Sequence, residues 1–201
     1  MTIPYTTHNI AALTASRICH DLISPIGAVA NGLELIQLAG SADGPEMTLV
    51  RDSAAHANAR IRLFRLAFGI ASDNQMVAAA EINDILAAIY GGTRIAVETT
   101  LQTALPREMA QAVLLAVLCA EHALGVGGQM RVRESGQHWH IEAQSGRLRT
   151  DPALWGLLTN QPISAEISPP VVQFLLLPMV LTHMGKTCAC RLSDDSAKIT
   201  I

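Results

Sequence analysis

The chain has 201 residues, of which half are hydrophobic but only 3% aromatic, and its formal net charge is −3 at pH 7. A slightly acidic chain has no electrostatic basis for binding nucleic acid or an anionic membrane surface, so we expect neither as a partner. The N-terminus has no basic region followed by an apolar core, and no apolar run is long enough to span a bilayer. We therefore expect a cytoplasmic protein without a signal peptide or membrane segment.

The first predicted element is a long helix over residues 7–39. Its apolar residues recur every three or four positions, as on one face of an amphipathic helix. They are Ala11, Ala15, Ile18, Leu22, Ile26, Val29, Leu33 and Ile36. At about 100° per residue, His20 points away from this face. It lies among polar and small residues, namely Ser16, Arg17, Ser24, Gly27, Asn31 and Glu34. We therefore expect the imidazole to be exposed where another molecule can approach.

A second helix is predicted over residues 45–71, after a loop that contains Gly and Pro. Its apolar stripe consists of Met47, Val50, Ala54, Ala57, Ile61, Phe64 and Phe68. Two long helices joined by a short loop form an antiparallel hairpin. Each helix also carries a flanking apolar strip, with Cys19, Ile23 and Ala30 on the first helix and Leu63, Leu66 and Ile70 on the second. One hairpin cannot cover both strips, so we predict a homodimer in which two hairpins close a four-helix bundle.

After a candidate hinge at residues 71–75 the hydrophobic pattern changes. We predict a division into a helical hairpin over residues 1–74, for dimerisation and phosphotransfer, and a second domain over residues 75–201. In the second domain, helices are predicted over residues 81–90, 106–124, 152–158 and 168–183, and strands over 94–99, 129–134, 139–144, 187–192 and 197–201. This order predicts an α+β sandwich with helices on one face of a mixed sheet.

His20 is the candidate catalytic residue. A neutral imidazole is nucleophilic, and a carboxylate that accepts a hydrogen bond from one ring nitrogen leaves the other nitrogen free to attack. Asp21 is placed to hold that tautomer and to take up the proton released when His20 acquires a phosphoryl group. Ser24 lies one turn further on, where its hydroxyl could position water or the incoming partner, and Pro25 is expected to kink the helix. A solvent-facing histidine without a role is the alternative that the pattern alone leaves open.

The run from His20 to Pro25 resembles the H-box of the dimerisation and phosphotransfer domain of sensor histidine kinases. The longer run to Ile36 is closer still to histidine phosphotransferases of the ChpT type, from alphaproteobacterial phosphorelays. The element order of residues 75–201 is similar to that of the kinase ATP-binding domain. The resemblance implies that a receiver-domain aspartate, carried by a hybrid kinase, donates phosphate to His20, and that response regulators accept it.

The same resemblance implies where the partner docks and which chain holds the metal. Ser16 and Gly27 are small residues on either side of His20 and leave space around the imidazole. A bulky receiver domain could dock there, on the face that also carries Asn31. Arg17, Arg62 and Arg65 are candidate contacts for an acidic receiver surface, although solvated arginines on a bundle face are the alternative. The catalytic Mg²⁺ is expected on the receiver, and we expect no metal site in this chain.

The resemblance fails at the residues that would bind a nucleotide. Cys119 stands where the kinase has its magnesium-binding Asn, and a thiol is a poor ligand for Mg²⁺. Residues 144–148 lack the Asp and the second Gly of the kinase Asp-x-Gly-x-Gly motif. Residues 170–172 replace a glycine-rich segment whose backbone would wrap the phosphates. We therefore expect a degenerate domain that binds no ATP and no other cofactor.

Two other functions remain open on the sequence alone. One is a divergent histidine kinase that still uses ATP, and the other is a non-catalytic dimeric scaffold or inhibitor of two-component signalling. Glu121 is predicted to end its helix rather than to take part in chemistry.

Overall fold

The computed structural model describes residues 5–39, 44–72, 74–162 and 166–201. Its N-terminal part is a pair of long helices, α1 (Thr7–Ala39) and α2 (Pro45–Phe68). They run antiparallel, since Gly32 of α1 packs against Val50 of α2, while Arg17 of α1 and Arg60 of α2 line the same groove towards the other end of the pair. Residues 40–43, in the predicted loop, and residue 73, in the predicted hinge, lie outside the described residues.

The rest of the chain alternates helices and strands. The elements are β1 (Met76–Val77), α3 (Ala79–Tyr90), β2 (Ile95–Thr99), β3 (Leu105–Pro106), α4 (Arg107–Ala123), β4 (Gly128–Ser135), β5 (His138–Gln144), α5 (Pro152–Leu158), a 3₁₀ turn (Pro169–Val171), α6 (Gln173–His183), β6 (Ala189–Leu192) and β7 (Ser196–Thr200). Five strands form a sheet in the order β2-β4-β5-β7-β6. Only the β2–β4 pair is parallel, so the sheet is mixed, as the sequence predicted.

The core lies between this sheet and the helices, with α4 at its centre. Nearly every side chain of α4 is buried, because apolar residues surround the helix instead of forming a single stripe. The strands alternate, so that Met130 and Val132 of β4 and Ile141 of β5 point into the core while Arg131 lies on the other face. This is the predicted architecture of two long helices followed by an α/β sandwich.

The helix α2 ends at Phe68, three residues before the predicted end. Gly69 is extended, and two side chains of α4 take over the last carbonyl groups. The Arg107 guanidinium donates to the carbonyls of Arg65 and Gly69, and the Gln111 amide donates to those of Ala67 and Gly69. Side-chain donors of this kind satisfy the carbonyls that a helix end leaves unpaired. The base of the hairpin is thus fixed to α4.

Leu63 and Leu66 do not need a second chain to cover them, and that prediction was wrong. Both side chains are buried within the same chain, in the core that α2 shares with α3 and α4. Ile70 lies beyond the end of α2 and is 95% exposed. The flanking strip of α1 remains exposed, as expected from the sequence.

Candidate functional site

His20 lies near the middle of α1, and its side chain is 75% exposed. The prediction that it faces outward is confirmed. Its Nδ1 is 3.1 Å from Oδ1 of Asp21. An ionised carboxylate can only accept a hydrogen bond, so this contact places the imidazole proton on Nδ1. The other nitrogen, Nε2, then carries the free lone pair.

Asp21 is shared between His20 and Arg17. Its second oxygen, Oδ2, lies 2.9 Å from Nε of Arg17, one helical turn earlier. Nη1 of Arg17 donates to the carbonyl of Pro170 at 2.6 Å, in the 3₁₀ turn before α6. Arg17 was predicted to meet a partner from the outer face, but its side chain is only 11% exposed. It turns inward because the chain itself supplies a carboxylate and a carbonyl at that point.

An open groove of about 880 Å³ begins at His20 and crosses α2 to the ends of α3 and α4. Its lining residues are Arg17, His20, Asp21, Ser24, Pro25, Ala28, Asp52, Ser53, Ala55, His56, Arg60, Ala88, Gly91 and Glu121. The helix α1 is unbroken at Pro25, and Ser24 stands in the groove on the same face as His20. The groove is open to solvent along one side of the hairpin, so a second protein could reach the imidazole.

The floor of the groove holds an ion pair between Arg60 of α2 and Glu121 of α4. Nη2 and Nη1 of Arg60 donate to the two carboxylate oxygens at 2.6 and 3.3 Å. Burial is the largest single influence on the pKa of Arg60 and would lower it, but the charge and hydrogen bond of Glu121, together with Tyr90 and Asp21, outweigh burial and raise the pKa, so the guanidinium stays charged. Burial, together with the negative charge of Glu121, also raises the pKa of the neighbouring Tyr90 well above its usual value.

The other predicted partner-binding residues fall on different surfaces. Ser16 is exposed and lines a separate depression beside Tyr5. Gly27 and Asn31 continue the outward face of α1, and a Cβ on Gly27 would meet nothing within 4 Å. Arg62 and Arg65 are absent from the described lining of the groove, and Arg65 pairs with Glu81 at 3.1 Å. Binding of a receiver domain by these residues stays a prediction.

No role was predicted from the sequence for three titratable residues of the groove, Asp52, His56 and Arg60, and Glu121 was expected only to end its helix. The first three recur every four residues along one face of α2, and that spacing was available from the sequence. Their approach to His20 depends on the register of the hairpin, which Gly32 sets by letting Val50 pack against the backbone of α1. Glu121 reaches the groove only through the packing of α4 against α2, which no local pattern indicates.

Within the described ranges of the chain, no cluster of three or more His, Cys, Asp or Glu side chains has the arrangement of a metal site. Nor does any helix found there combine the length and apolar character that crossing a membrane requires.

Comparison with known proteins points to one class. Residues 79–196 match the family model described as the histidine phosphotransferase C-terminal domain. The chain is 32% identical over 190 residues to the protein phosphotransferase ChpT of Brucella abortus (strain 2308), covering 88% of this chain and 90% of that protein. A solved structure described as a bacterial phosphotransferase superposes with a TM-score of 0.80 at 25% identity, over 100% of this chain and 98% of the other.

The helical pair with its outward histidine, the mixed α/β sandwich and these relatives together define a bacterial phosphotransferase fold. Within that class, the chain belongs to the histidine phosphotransferase family of the ChpT type.

Proposed function

We propose that this chain carries phosphate on His20 as the intermediate of a phosphorelay, accepting it from the aspartate of one receiver domain and passing it to response regulators. The observation that carries the proposal is the state of the His20 ring. Its Nδ1 is engaged by Asp21 at 3.1 Å, and its exposed position leaves Nε2 open to the groove. That is the arrangement a nucleophilic imidazole requires.

The transfer follows from this geometry. The lone pair of Nε2 forms the bond to phosphorus, and the bond from phosphorus to the receiver's aspartate oxygen breaks, with its electron pair leaving on that carboxylate. In this proposal Asp21 does not take up a proton, contrary to our expectation from the sequence. The ring instead becomes a cation that retains its proton on Nδ1, and Asp21 stabilises this charge through the same hydrogen bond. Transfer to the second receiver reverses these steps, with a new aspartate as the attacking oxygen.

Mg²⁺ held by the receiver would neutralise the charge of the phosphoryl group during transfer. This chain contributes the nucleophile, its orienting carboxylate and a docking surface. We place the receiver over the groove, with Ser24 at its edge and the outward face of α1, including Ser16, Gly27 and Asn31, beside it.

The test uses a purified receiver domain labelled on its aspartate, mixed with this chain in the presence of Mg²⁺. We expect label on the wild-type chain, subsequent transfer to a second receiver, and no label on His20→Ala. Transfer between receivers that persists with His20→Ala would contradict the assignment of the nucleophile. If the wild-type chain acquires no label, the chain is a scaffold or inhibitor instead.

We also propose that the chain transfers phosphate without binding ATP. Of the positions that the resemblance assigns to the nucleotide, Cys119, Val171 and Val172 are packed into the interior, whereas residues 144–148 and Pro170 are exposed or only partly buried. Cys119 is fully buried, and burial raises the pKa of its thiol well above the usual value, which disfavours the thiolate that metals bind. The amide of Gln173, at the start of α6, donates to the carbonyls of Leu118 and Pro170, at 3.4 and 3.0 Å. The start of α6 therefore lies directly on α4.

Incubation with labelled ATP and Mg²⁺, without any partner, tests this second proposal. We expect the chain to remain unlabelled. Label on His20 would instead identify a histidine kinase with a divergent nucleotide site.

Homodimerisation is proposed from a continuous exposed apolar face on the hairpin. On α1 it comprises Cys19, Ile23, Ile26, Ala30 and Leu33, and on α2 it comprises Ala54 and Ile61. At about 100° per residue, these side chains lie on the side of the hairpin opposite the groove. Exposed apolar faces of this kind mark protein interfaces. A second copy covering this face would close the four-helix bundle and leave His20 accessible.

A further inference from the structure

Glu121 connects the two arginines that surround the candidate site. Its carboxylate is held by Arg60 of α2 in a two-point ion pair and lies 4.0 Å from Nη2 of Arg17 on α1. The side chains of all three residues are less than one-fifth exposed. Charge pairs shielded from water in this way interact more strongly than exposed surface pairs.

The contacts continue from Glu121 to the imidazole. Arg17 lies between the carboxylates of Glu121 and Asp21, and Asp21 divides its two oxygens between Arg17 and His20. The hydrogen bond between Nδ1 of His20 and Oδ1 of Asp21 therefore depends on the position of the Arg17 side chain. The carbonyl of Pro170 fixes one end of the Arg17 guanidinium, and Glu121 faces the other end.

The charges of this cluster balance. Arg17 and Arg60 are each positive, and Asp21 and Glu121 are each negative. The other titratable groups that line the groove are Asp52 and His56 of α2, while Tyr90 of α3 is buried beside Glu121. Removing the charge of Glu121 would leave two guanidinium groups with Asp21 as the closest compensating carboxylate, and would draw Asp21 away from His20.

We propose that Glu121 is a positioning residue for phosphotransfer by His20, holding Arg17 and Arg60 so that Asp21 keeps one oxygen on Nδ1. This inference rests on the proposed function, because it concerns the orientation of the proposed nucleophile. Glu121 acts through Arg17 and Asp21 and has no contact with the imidazole itself. It links α4 of the sandwich to the H-box, so the α/β part of the chain helps to set the reactive tautomer.

The test compares Glu121→Gln with Arg60→Gln, which break the same ion pair but change the local charge in opposite directions. The ¹⁵N spectrum of the histidine side chains, recorded on the chain alone at about pH 9 where ordinary imidazoles are neutral, reports which His20 nitrogen carries the proton. The His20 signal is assigned by its loss in His20→Gln. We expect the Nδ1–H form in the wild type and in Arg60→Gln, and a clear decrease of that form in Glu121→Gln.

Kinetics on the same variants supply a second measurement. We expect Glu121→Gln to lower the maximal rate of phosphate transfer by about tenfold, which is less than the roughly 10²–10⁴-fold contributed by a group that itself transfers a proton, because Glu121 acts through Arg17 and Asp21. We expect little change in the receiver concentration at half-saturation. Glu108→Gln is the matched control on α4, since Glu108 pairs with His183 away from the groove. We expect its rate to equal that of the wild type.

An unchanged His20 tautomer in Glu121→Gln would overturn the proposal, and so would equal loss of the Nδ1–H form in Glu121→Gln and Arg60→Gln. If Glu121→Gln fails to fold, the Arg60→Gln/Glu121→Gln double variant removes the pair as a neutral unit and is compared with Arg60→Gln. The double variant must then show the decreased Nδ1–H form. Because the spectrum needs no receiver, a wild-type chain that takes no phosphate would refute the proposed function separately.

Discussion

At the scale of single residues, the candidate site depends on how Asp21 divides its two oxygens between His20 and Arg17. The hydrogen bond to His20 engages Nδ1 and leaves Nε2 as the free ring nitrogen, and the ion pair with Arg17 holds the carboxylate in place. Among the residues that the structure describes, the side-chain hydrogen bond of His20 is with its neighbour Asp21. The proposed nucleophile is exposed, whereas Asp21 and Arg17, which would orient it, are shielded from water.

Asp21→Asn tests this division of roles. The amide can still hydrogen-bond His20, but it can also donate to Nδ1 and favour the wrong tautomer, and it does not stabilise the cationic phosphohistidine. We expect the rate of transfer from a labelled receiver to fall by about 100-fold, within the range measured for general acid–base groups. Rapid-quench kinetics measure this rate, and activity as low as that of His20→Ala would assign Asp21 a larger role than orientation.

His122 provides a test of stability against pH. Burial, assisted by the positive charges of Arg17 and Arg149, lowers its pKa, and its ring lies edge-on to Phe174 at 5.7 Å. The unfolded chain then binds a proton more readily than the folded chain. The contribution of His122 to the free energy of unfolding is present above its ordinary pKa of about 6.5 and is lost as the pH falls through the lowered value.

Urea unfolding between pH 7 and 5 measures this contribution. We expect the free energy of unfolding to decrease less steeply with falling pH in His122→Gln than in the wild type. The exposed His8→Gln variant serves as the control and should match the wild type. Identical pH dependence in His122→Gln and the wild type would contradict the assignment.

At the scale of elements, two glycines of α1 have opposite surroundings. A Cβ on Gly27 would meet nothing within 4 Å, whereas a Cβ on Gly32 would lie 2.5 Å from Cγ2 of Val50. Gly27 thus leaves open space on the outward face beside His20, while Gly32 allows α2 to approach α1 closely. The same residue type therefore leaves open space on the surface at one position and allows close helix packing at the other.

We expect Gly27→Ala to raise the free energy of unfolding by about 0.5–1 kcal/mol, because alanine favours the helix more than glycine does. Gly32→Ala gains the same propensity, but overpacking against Val50 costs about 1–3 kcal/mol, so we expect a net loss of stability. Urea denaturation at equal protein concentration gives both values. A Gly32→Ala chain as stable as Gly27→Ala would show that the two helices are less closely packed than described.

The elements also show how far the sequence could predict the structure. The 3.6-residue periodicity predicted α1 at residues 7–39, and the structure has the same bounds, because the apolar pattern runs without interruption along the whole helix. The periodicity placed the end of α2 too late, because Arg107 and Gln111, about forty residues further on, take over the last carbonyls of that helix. The two-residue strands β1 and β3 were missed, because so short a segment has no periodicity.

The candidate site was also predictable only in part, where its residues lie close together in the sequence. His20, Asp21 and Ser24 are consecutive or one turn apart, so helical geometry alone put them on one surface. The pairing of Arg60 with Glu121 was not predictable, because it joins residues 61 positions apart through the packing of α2 on α4. Arg17 was placed on the outer face because its inward contacts are with Asp21 and with Pro170, the latter in a distant turn.

At the scale of the whole molecule, the two faces of the hairpin have different surroundings. One face packs against α3 and α4 through Leu63 and Leu66 and carries the groove beside this contact. The opposite face is apolar and exposed, with Ile23 at 71% and Ile26 at 53%. The proposed dimer uses only this second face, so pairing of two chains leaves both copies of His20 available.

Ile23→Glu tests the proposed dimer, and Ile70→Glu is its matched control. Both isoleucines are exposed, but Ile70 lies beyond α2 and outside the apolar face. Burial of a glutamate in the bundle seam is unfavourable, so we expect a monomer for Ile23→Glu and a dimer for Ile70→Glu and the wild type. Analytical ultracentrifugation distinguishes the two states. Monomeric wild-type protein, or equal dissociation of both variants, would contradict the proposed interface.

The central claim is tested most directly by locating the phosphoryl group on the chain after reaction with a phosphorylated receiver. Combined ³¹P and ¹⁵N NMR identifies both the residue and the ring nitrogen. The engagement of Nδ1 by Asp21 predicts one phosphoryl group per chain, on Nε2 of His20, with the proton retained on Nδ1. Phosphate on Nδ1 of His20, or on His56 across the groove, would contradict the account.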